Sequence, residues 1–221
     1  MSKQLSAFEP LPGYSGVYTA QNGNLRCTAI RLRSGGLCLY SPVSGLGDTP
    51  RESLQRLGDV THLLAPNHYH NKALPEYSAA FPQATRCSTI QAMTRLRKQT
   101  SLDFKPLSEA EISLPSGVRF VEPVGLKTGE VWVEVASETG RVWIVTDAFR
   151  GPNTAGAGHS NEPELLGTFP TFGIKDRTAY HGWLAAYVEE AHPTMIVPCH
   201  GSIIQGYQLG AQALGLVKDL L

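Results

Sequence analysis

The chain has 221 residues, 42% of them hydrophobic and 17% charged, and its 19 basic and 19 acidic residues cancel to a formal net charge of zero. That balance is the composition of a globular domain with enough material for a core, and it excludes a disordered tail, a fibrous repeat and a globally basic surface of the kind that grips nucleic acid. No run approaches the roughly 18 apolar residues that cross a bilayer. Met1 to Pro10 lacks the apolar stretch of a secretory signal. The expectation is a cytoplasmic chain forming one domain, 1–221, with neither nucleic acid nor membrane as partner; a homodimer is compatible with it. Cys27, Cys38, Cys87 and Cys199 form no CxxC pair and read as buried free thiols of a reducing compartment.

The first elements in chain order are strands. Gly16 to Ala20 and Leu25 to Leu32 are rich in β-branched and apolar residues, and Asn22-Gly23-Asn24 turns between them. Gly35-Gly36 is a second turn, and Leu37 to Tyr40 a third strand, so the chain opens as an antiparallel meander. Thr49-Pro50 with Glu52 reads as a helix start, with Thr49 as N-cap and Gly58 as the stop. Val60 to Ala65 is a nearly continuous apolar run that suits a strand buried on both faces. Pro66-Asn67 breaks it and puts His68-Tyr69-His70 on a loop. Leu74 to Phe81 reads as a helix, Ala84 to Ser88 as a strand and Thr89 to Lys98 as a helix. Arg95, Arg97 and Lys98 read as the solvated face of that last helix.

Three strands follow, Val118 to Val121, Val131 to Ala136 and Val142 to Thr146, the last two joined through Glu138-Thr139-Gly140. The third delivers Asp147 at its end. Gly151 to Gly173 is a long segment rich in Gly, Pro, Asn and Ser, and loops of that length tend to be functional. Arg177 to Ala191 reads as an amphipathic helix with Tyr180, Trp183, Leu184, Tyr187 and Val188 on one side. Met195 to Val197 is a short strand that ends at Pro198-Cys199-His200-Gly201, and Gln208 to Leu221 closes the chain as a helix. Mixed strands with intervening helices point to an α/β (α+β) fold of two sheets flanked by helices, an αββα sandwich of four layers. One doubly wound parallel sheet is the alternative.

Three places share a pattern. A short apolar strand ends, and a side chain able to bind a metal or move a proton comes next. These are His68 and His70 after Val60 to Ala65, Asp147 after Val142 to Thr146, and His200 after Met195 to Val197. Ligands in α/β sheets sit outside the carboxyl ends of strands. If the three strands are neighbours, the four side chains converge, and imidazoles with a carboxylate suit zinc, iron or manganese. Each also has a structural reading: Asp147 can cap a turn, and His200 can be a satisfied buried histidine. His62, inside the buried strand, reads as structural.

Thr61 to Ala73, Thr-His-Leu-Leu-Ala-Pro-Asn-His-Tyr-His-Asn-Lys-Ala, resembles the signature loop of the metallo-β-lactamase superfamily, Thr-His-x-His-x-Asp-His. Gly125-Leu126-Lys127-Thr128-Gly129 resembles that family's Gly-His-Thr-x-Gly turn, Thr146-Asp147 its strand-end aspartate, and Pro198-Cys199-His200-Gly201 its last histidine turn. The order holds from about Gly16 to Ile204, and Ala65-Pro66-Asn67-x-x-His70 is similar to a little-characterised branch of the superfamily. The resemblance implies the αββα sandwich, His68, His70, Asp147 and His200 as metal ligands, and hydrolysis of an ester, thioester, amide or phosphodiester in a small molecule. It also implies an incomplete site, because Lys72, Ala73 and Leu126 or Lys127 stand where the pattern has an aspartate and two histidines. The expectation is one divalent metal, zinc first, or none. Asp147 and Lys72 are the catalytic candidates: the Lys72 ammonium either substitutes for a second ion or reaches solvent. His159 and Glu162, in the long segment, could act from above it. The alternative function is a catalytically inactive binding or scaffold protein.

Overall fold

The computed structural model describes residues 4–152 and 162–221. They divide into two compact units, Met1–Ser116 and Gly117–Leu221. His159 lies outside the described residues.

The first unit is built on a seven-stranded sheet in sequence order. Its strands are β1 (Glu9–Pro10), β2 (Val17–Asn22), β3 (Leu25–Arg31), β4 (Leu37–Tyr40), β5 (Val60–Leu64), β6 (Thr85–Ser88) and β7 (Lys105–Pro106). The meander β1 to β4 is antiparallel, and β4 to β7 pair in parallel. Four helices connect or follow the parallel strands: α1 (Asp48–Leu57), α2 (Leu74–Ala80), α3 (Ile90–Thr100) and α4 (Ser108–Glu111). Leu37, Leu39 and Leu63 alternate onto one sheet face and pack with Leu54 of α1 and Tyr77 of α2, while Ala92, Met93 and Leu96 of α3 cluster with Ala65, Leu74 and Phe104. The helix expected to start on a Thr49 cap begins two residues earlier. Asp48 opens it after Gly47, and no side chain caps it. Pro50 still falls in the first turn, where a missing N–H costs nothing.

The second unit holds a five-stranded sheet in the order β14-β13-β10-β9-β8. These are β8 (Val118–Val121), β9 (Trp132–Ser137), β10 (Gly140–Val145), β13 (Pro193–Pro198) and β14 (Ile204–Gln205). A two-stranded ribbon, β11 (Phe149–Arg150) with β12 (Glu164–Leu165), stands beside it, and α5 (Phe169–Phe172), α6 (Arg177–Glu190) and α7 (Leu209–Lys218) complete the unit. Only β10 and β13 pair in parallel; the other pairs are antiparallel. Two separate sheets, the first half antiparallel and the second mostly so, exclude a single doubly wound parallel sheet. The face of α6 expected to be apolar is the packed one. Tyr180, Leu184 and Tyr187 are buried, and Tyr187 stacks on Trp143 at 5.0 Å and on Trp183 at 5.1 Å between ring centroids.

A charged cluster lies beside these rings. Glu134 of β9 is 2% exposed, yet it accepts from Arg119 Nε at 3.0 Å and Nη2 at 3.2 Å, from Arg141 Nη1 at 2.6 Å and from Tyr187 Oη at 2.6 Å. Burial opposes its charge, but the Arg119 guanidinium, the Tyr187 hydroxyl and Arg141 outweigh burial and hold the carboxyl below its usual range. A carboxyl whose pKa is lower folded than unfolded adds stability that is complete above its unfolded value, about 4.3, and is lost as pH falls through the lower folded value. Glu134→Gln should therefore cost about 2 kcal/mol at pH 7, because it leaves two arginines without their carboxylate. Urea denaturation at pH 7 and at stepped values below 4 checks this: the gap between wild type and variant should close as the medium is acidified.

Candidate metal centre

In the first unit, β5 runs parallel between β4 and β6, and Ala65 N extends the pairing to Cys87 O at 2.9 Å. Pro66 cannot donate to a ladder, so the strand stops there. The fully buried Asn67 then folds the chain over its own side chain: Oδ1 accepts from Tyr69 N at 2.8 Å and His70 N at 3.1 Å. The turn fixes His68 and His70 on one short loop. His70 Nδ1 bonds Ser41 Oγ at 2.8 Å. Ser41, just past β4, has φ of 55°, the left-handed region that a non-glycine residue adopts only under constraint. His68 is 6% exposed, and its Nε2 lies 3.1 Å from Arg95 Nη1. A guanidinium has no acceptor, so Arg95 is the donor in this contact. Arg95 is exposed on the helix face, as expected, and in addition reaches the histidine loop. Lys72 is exposed on the same loop, and Ala73 is packed into the apolar core.

In the second unit the parallel register of β10 and β13 sets Val145 opposite Pro198. Cys199 N continues the pairing to Val145 O at 2.9 Å. Asp147 and His200 each lie two residues past that pair, so they emerge together: His200 Nε2 is 3.1 Å from Asp147 Oδ1. Asp147 is 8% exposed and His200 is half-buried. Of the four side chains expected to converge, these two meet at the ends of neighbouring strands.

Two supports of this pair were not read from the sequence. The first is Glu130, 2% exposed, whose Oε1 accepts from Trp132 Nε1 at 2.9 Å and from Thr146 N and Ala148 N, both at 3.3 Å. One buried carboxylate therefore holds the main chain on either side of Asp147. The second is a backbone contact. Gly151 N donates to His200 O at 3.0 Å, and Gly201 has φ of +83°. A Cβ at Gly151 would overlap Ser202 O, and one at Gly201 would overlap Gly151 O, so only glycine fits either place.

Other candidates play no part in this pair. Leu126, where a histidine would belong, is buried in the apolar core, and Lys127 Nζ donates to Thr171 O at 2.7 Å. His62 bonds Thr61 Oγ1 at 3.0 Å, and burial pushes its pKa below the usual value against the opposing pull of Glu109. It keeps its structural reading. All four cysteines are free and buried. Burial pushes the Cys87 thiol up to about 12 and Cys38 up as well, so neither offers a thiolate. Among the described residues no helix is long and apolar enough to cross a membrane.

No family model and no curated protein matches the chain by sequence. Solved structures match it by shape over almost its full length. The metallo-β-lactamase DIM-1 is 10% identical with a TM-score of 0.64, covering 99% of this chain and 100% of its own. The metallo-β-lactamase FIM-1 from Pseudomonas aeruginosa, solved in its mono-zinc form, is 10% identical with a TM-score of 0.64 over 99% and 97%. A diflavin flavoprotein fragment from Nostoc sp. PCC 7120 is 13% identical with a TM-score of 0.63 over 97% and 96%. At such identities the likeness is one of architecture, and it meets the expectation drawn from the strand-end motifs: this chain has the metallo-β-lactamase fold.

Proposed function

We propose that the chain is a hydrolase that binds one divalent metal ion, zinc first and iron or manganese as alternatives, and cleaves an ester, thioester, amide or phosphodiester bond in a small molecule. The observation that carries this reading is the Asp147–His200 pair at the ends of adjacent parallel strands. His70 is proposed as the third ligand from its place in the sequence motif, giving two imidazoles and one carboxylate, a set that zinc accepts. Its Nδ1 contact with Ser41 supports this, since ligating histidines commonly fix their other ring nitrogen on a neighbour. His68 differs from the sequence expectation of four ligands: its Nε2 is already accepting from Arg95. Three protein ligands leave the fourth tetrahedral position for substrate or water, as catalytic zinc sites do.

The residues' own work follows from their contacts. His200 Nε2 faces Asp147 Oδ1 at 3.1 Å, and a histidine nitrogen must be free of its proton to bind a metal. Glu130 keeps Asp147 from swinging away, and Ser41 keeps the His70 ring in plane. When bound, the ion would supply Lewis acidity toward a carbonyl or phosphoryl oxygen and lower the pKa of water. Lys72, exposed, is proposed only as a charge at the rim. The occurrence of this fold in a mono-zinc metallo-β-lactamase supports a one-ion reading.

A second reading, a binding or scaffold protein without turnover, is favoured by Ala73 and Leu126, which are packed as core where the family pattern has histidines. Metal titration separates the two. Chelator-treated protein titrated with zinc in a calorimeter should take up one ion per chain. His70→Ala, Asp147→Ala and His200→Ala should each weaken it by more than about a hundredfold, beyond what loss of an outer partner costs. Wild type that takes up no zinc, iron or manganese leaves the scaffold reading standing. Glu130→Ala should weaken zinc by about tenfold with all ligands present. It should also lower the unfolding free energy by about 3 kcal/mol in urea, because three donors lose their acceptor.

A further inference from the structure

Arg95 is placed as no surface arginine needs to be. It lies on α3, and its side chain reaches the histidine loop. Nη1 donates to His68 Nε2 at 3.1 Å, and the guanidinium carbon sits 5.1 Å from the centre of the Tyr69 ring. The His68 and Tyr69 rings themselves are 4.3 Å apart. Among the described residues no carboxylate lies within ion-pair distance of Arg95. Its neighbour Arg97, by contrast, donates to Phe104 O and reaches Asp103.

An imidazole and an aromatic face orient a guanidinium but bring no negative charge to neutralise it. Of its five N–H donors, one is engaged among the described residues. The remaining fork is held by two rings, so little side-chain freedom is left to lose on binding, and a planar fork matches two oxygens at once. The loop is tied to the same helix face by a second contact four residues on. Asn71 Nδ2 donates to Gln99 Oε1 at 3.0 Å and to His68 O at 2.7 Å. The support of the loop is therefore separable from the charge.

We propose that Arg95, oriented by His68 and Tyr69, is an oxyanion-binding site, and that the substrate carries a carboxylate or phosphate group. The anion site stands on the first unit alone; only the step from ligand to substrate rests on the metal-centre reading above. The cationic role that the sequence offered to Lys72 is given to Arg95, because two rings orient the Arg95 guanidinium.

The test uses the full chain freed of metal by chelation, so that it is independent of zinc uptake. Inorganic phosphate and acetate are titrated separately while the histidine ring resonances are followed by NMR. Saturable binding of at least one anion, with the His68 ring responding, is expected, and the stronger of the two names the substrate's group. Arg95→Ala should weaken it by at least about tenfold, the value of one charge-assisted pair, and Arg95→Lys by less. Gln99→Ala, which cuts the other tie of the loop to α3, should leave binding unchanged. The proposal is overturned if neither anion saturates, if Arg95→Ala binds as wild type does, or if Gln99→Ala loses as much as Arg95→Ala. Circular dichroism checks folding; should Arg95→Ala unfold, Arg95→Lys against Gln99→Ala decides.

Discussion

The parallel pairing of β10 with β13 is the constraint on which the second unit's chemistry depends. Parallel neighbours finish on the same side, and here Val145 and Pro198 are partners. Two residues chosen 53 positions apart in the chain, Asp147 and His200, thereby leave the sheet side by side. A slip of one residue would turn every side chain of β13 to the opposite face and separate them. The buried apolar run of β10, with Trp143 in the aromatic cluster, is what makes such a slip costly. The same logic operates in the first unit, where β5 lies between two parallel partners and releases the loop of His68 and His70.

Much of this was legible in the sequence for a simple reason. Runs such as Val142 to Thr146 are apolar throughout, so they mark central strands, and polar residues at their ends mark the mouth of the sheet. The helices at Arg177 and Leu74 were legible because their apolar spacing is helical over two turns or more. The pieces that escaped are those with too few residues to show a period: β1, β7, β11, β12 and β14 have two residues each. The Thr49 cap failed because Ser/Thr-x-x-Glu is only a local preference, and Asp48 can open the same helix. Arg95 and Glu130 escaped for a different cause. In the sequence both are ordinary charged residues; what sets them apart is a partner brought near by topology, His68 for the one and the chain around Asp147 for the other.

Two buried carboxylates near the start of the second unit show how the same group is put to different use. Glu134 is neutralised by arginines and a tyrosine hydroxyl, so its contacts are with charge and its effect is on acid stability. Glu130 faces an indole and main-chain N–H groups, so its contacts are with dipoles and its effect is on the position of the chain. The first braces the aromatic layer against α6, and the second braces a loop.

The close approach of Gly151 to the His200–Gly201 turn has a consequence for redesign. The location of the imidazole is dictated there by main chain touching main chain, with no side chain in between. Residues 147 and 200 can accordingly be exchanged for other donors while their platform stays put, whereas any methyl group at 151 would be transmitted directly to position 200. Variation of the chemistry and preservation of the scaffold are in this way assigned to different residues.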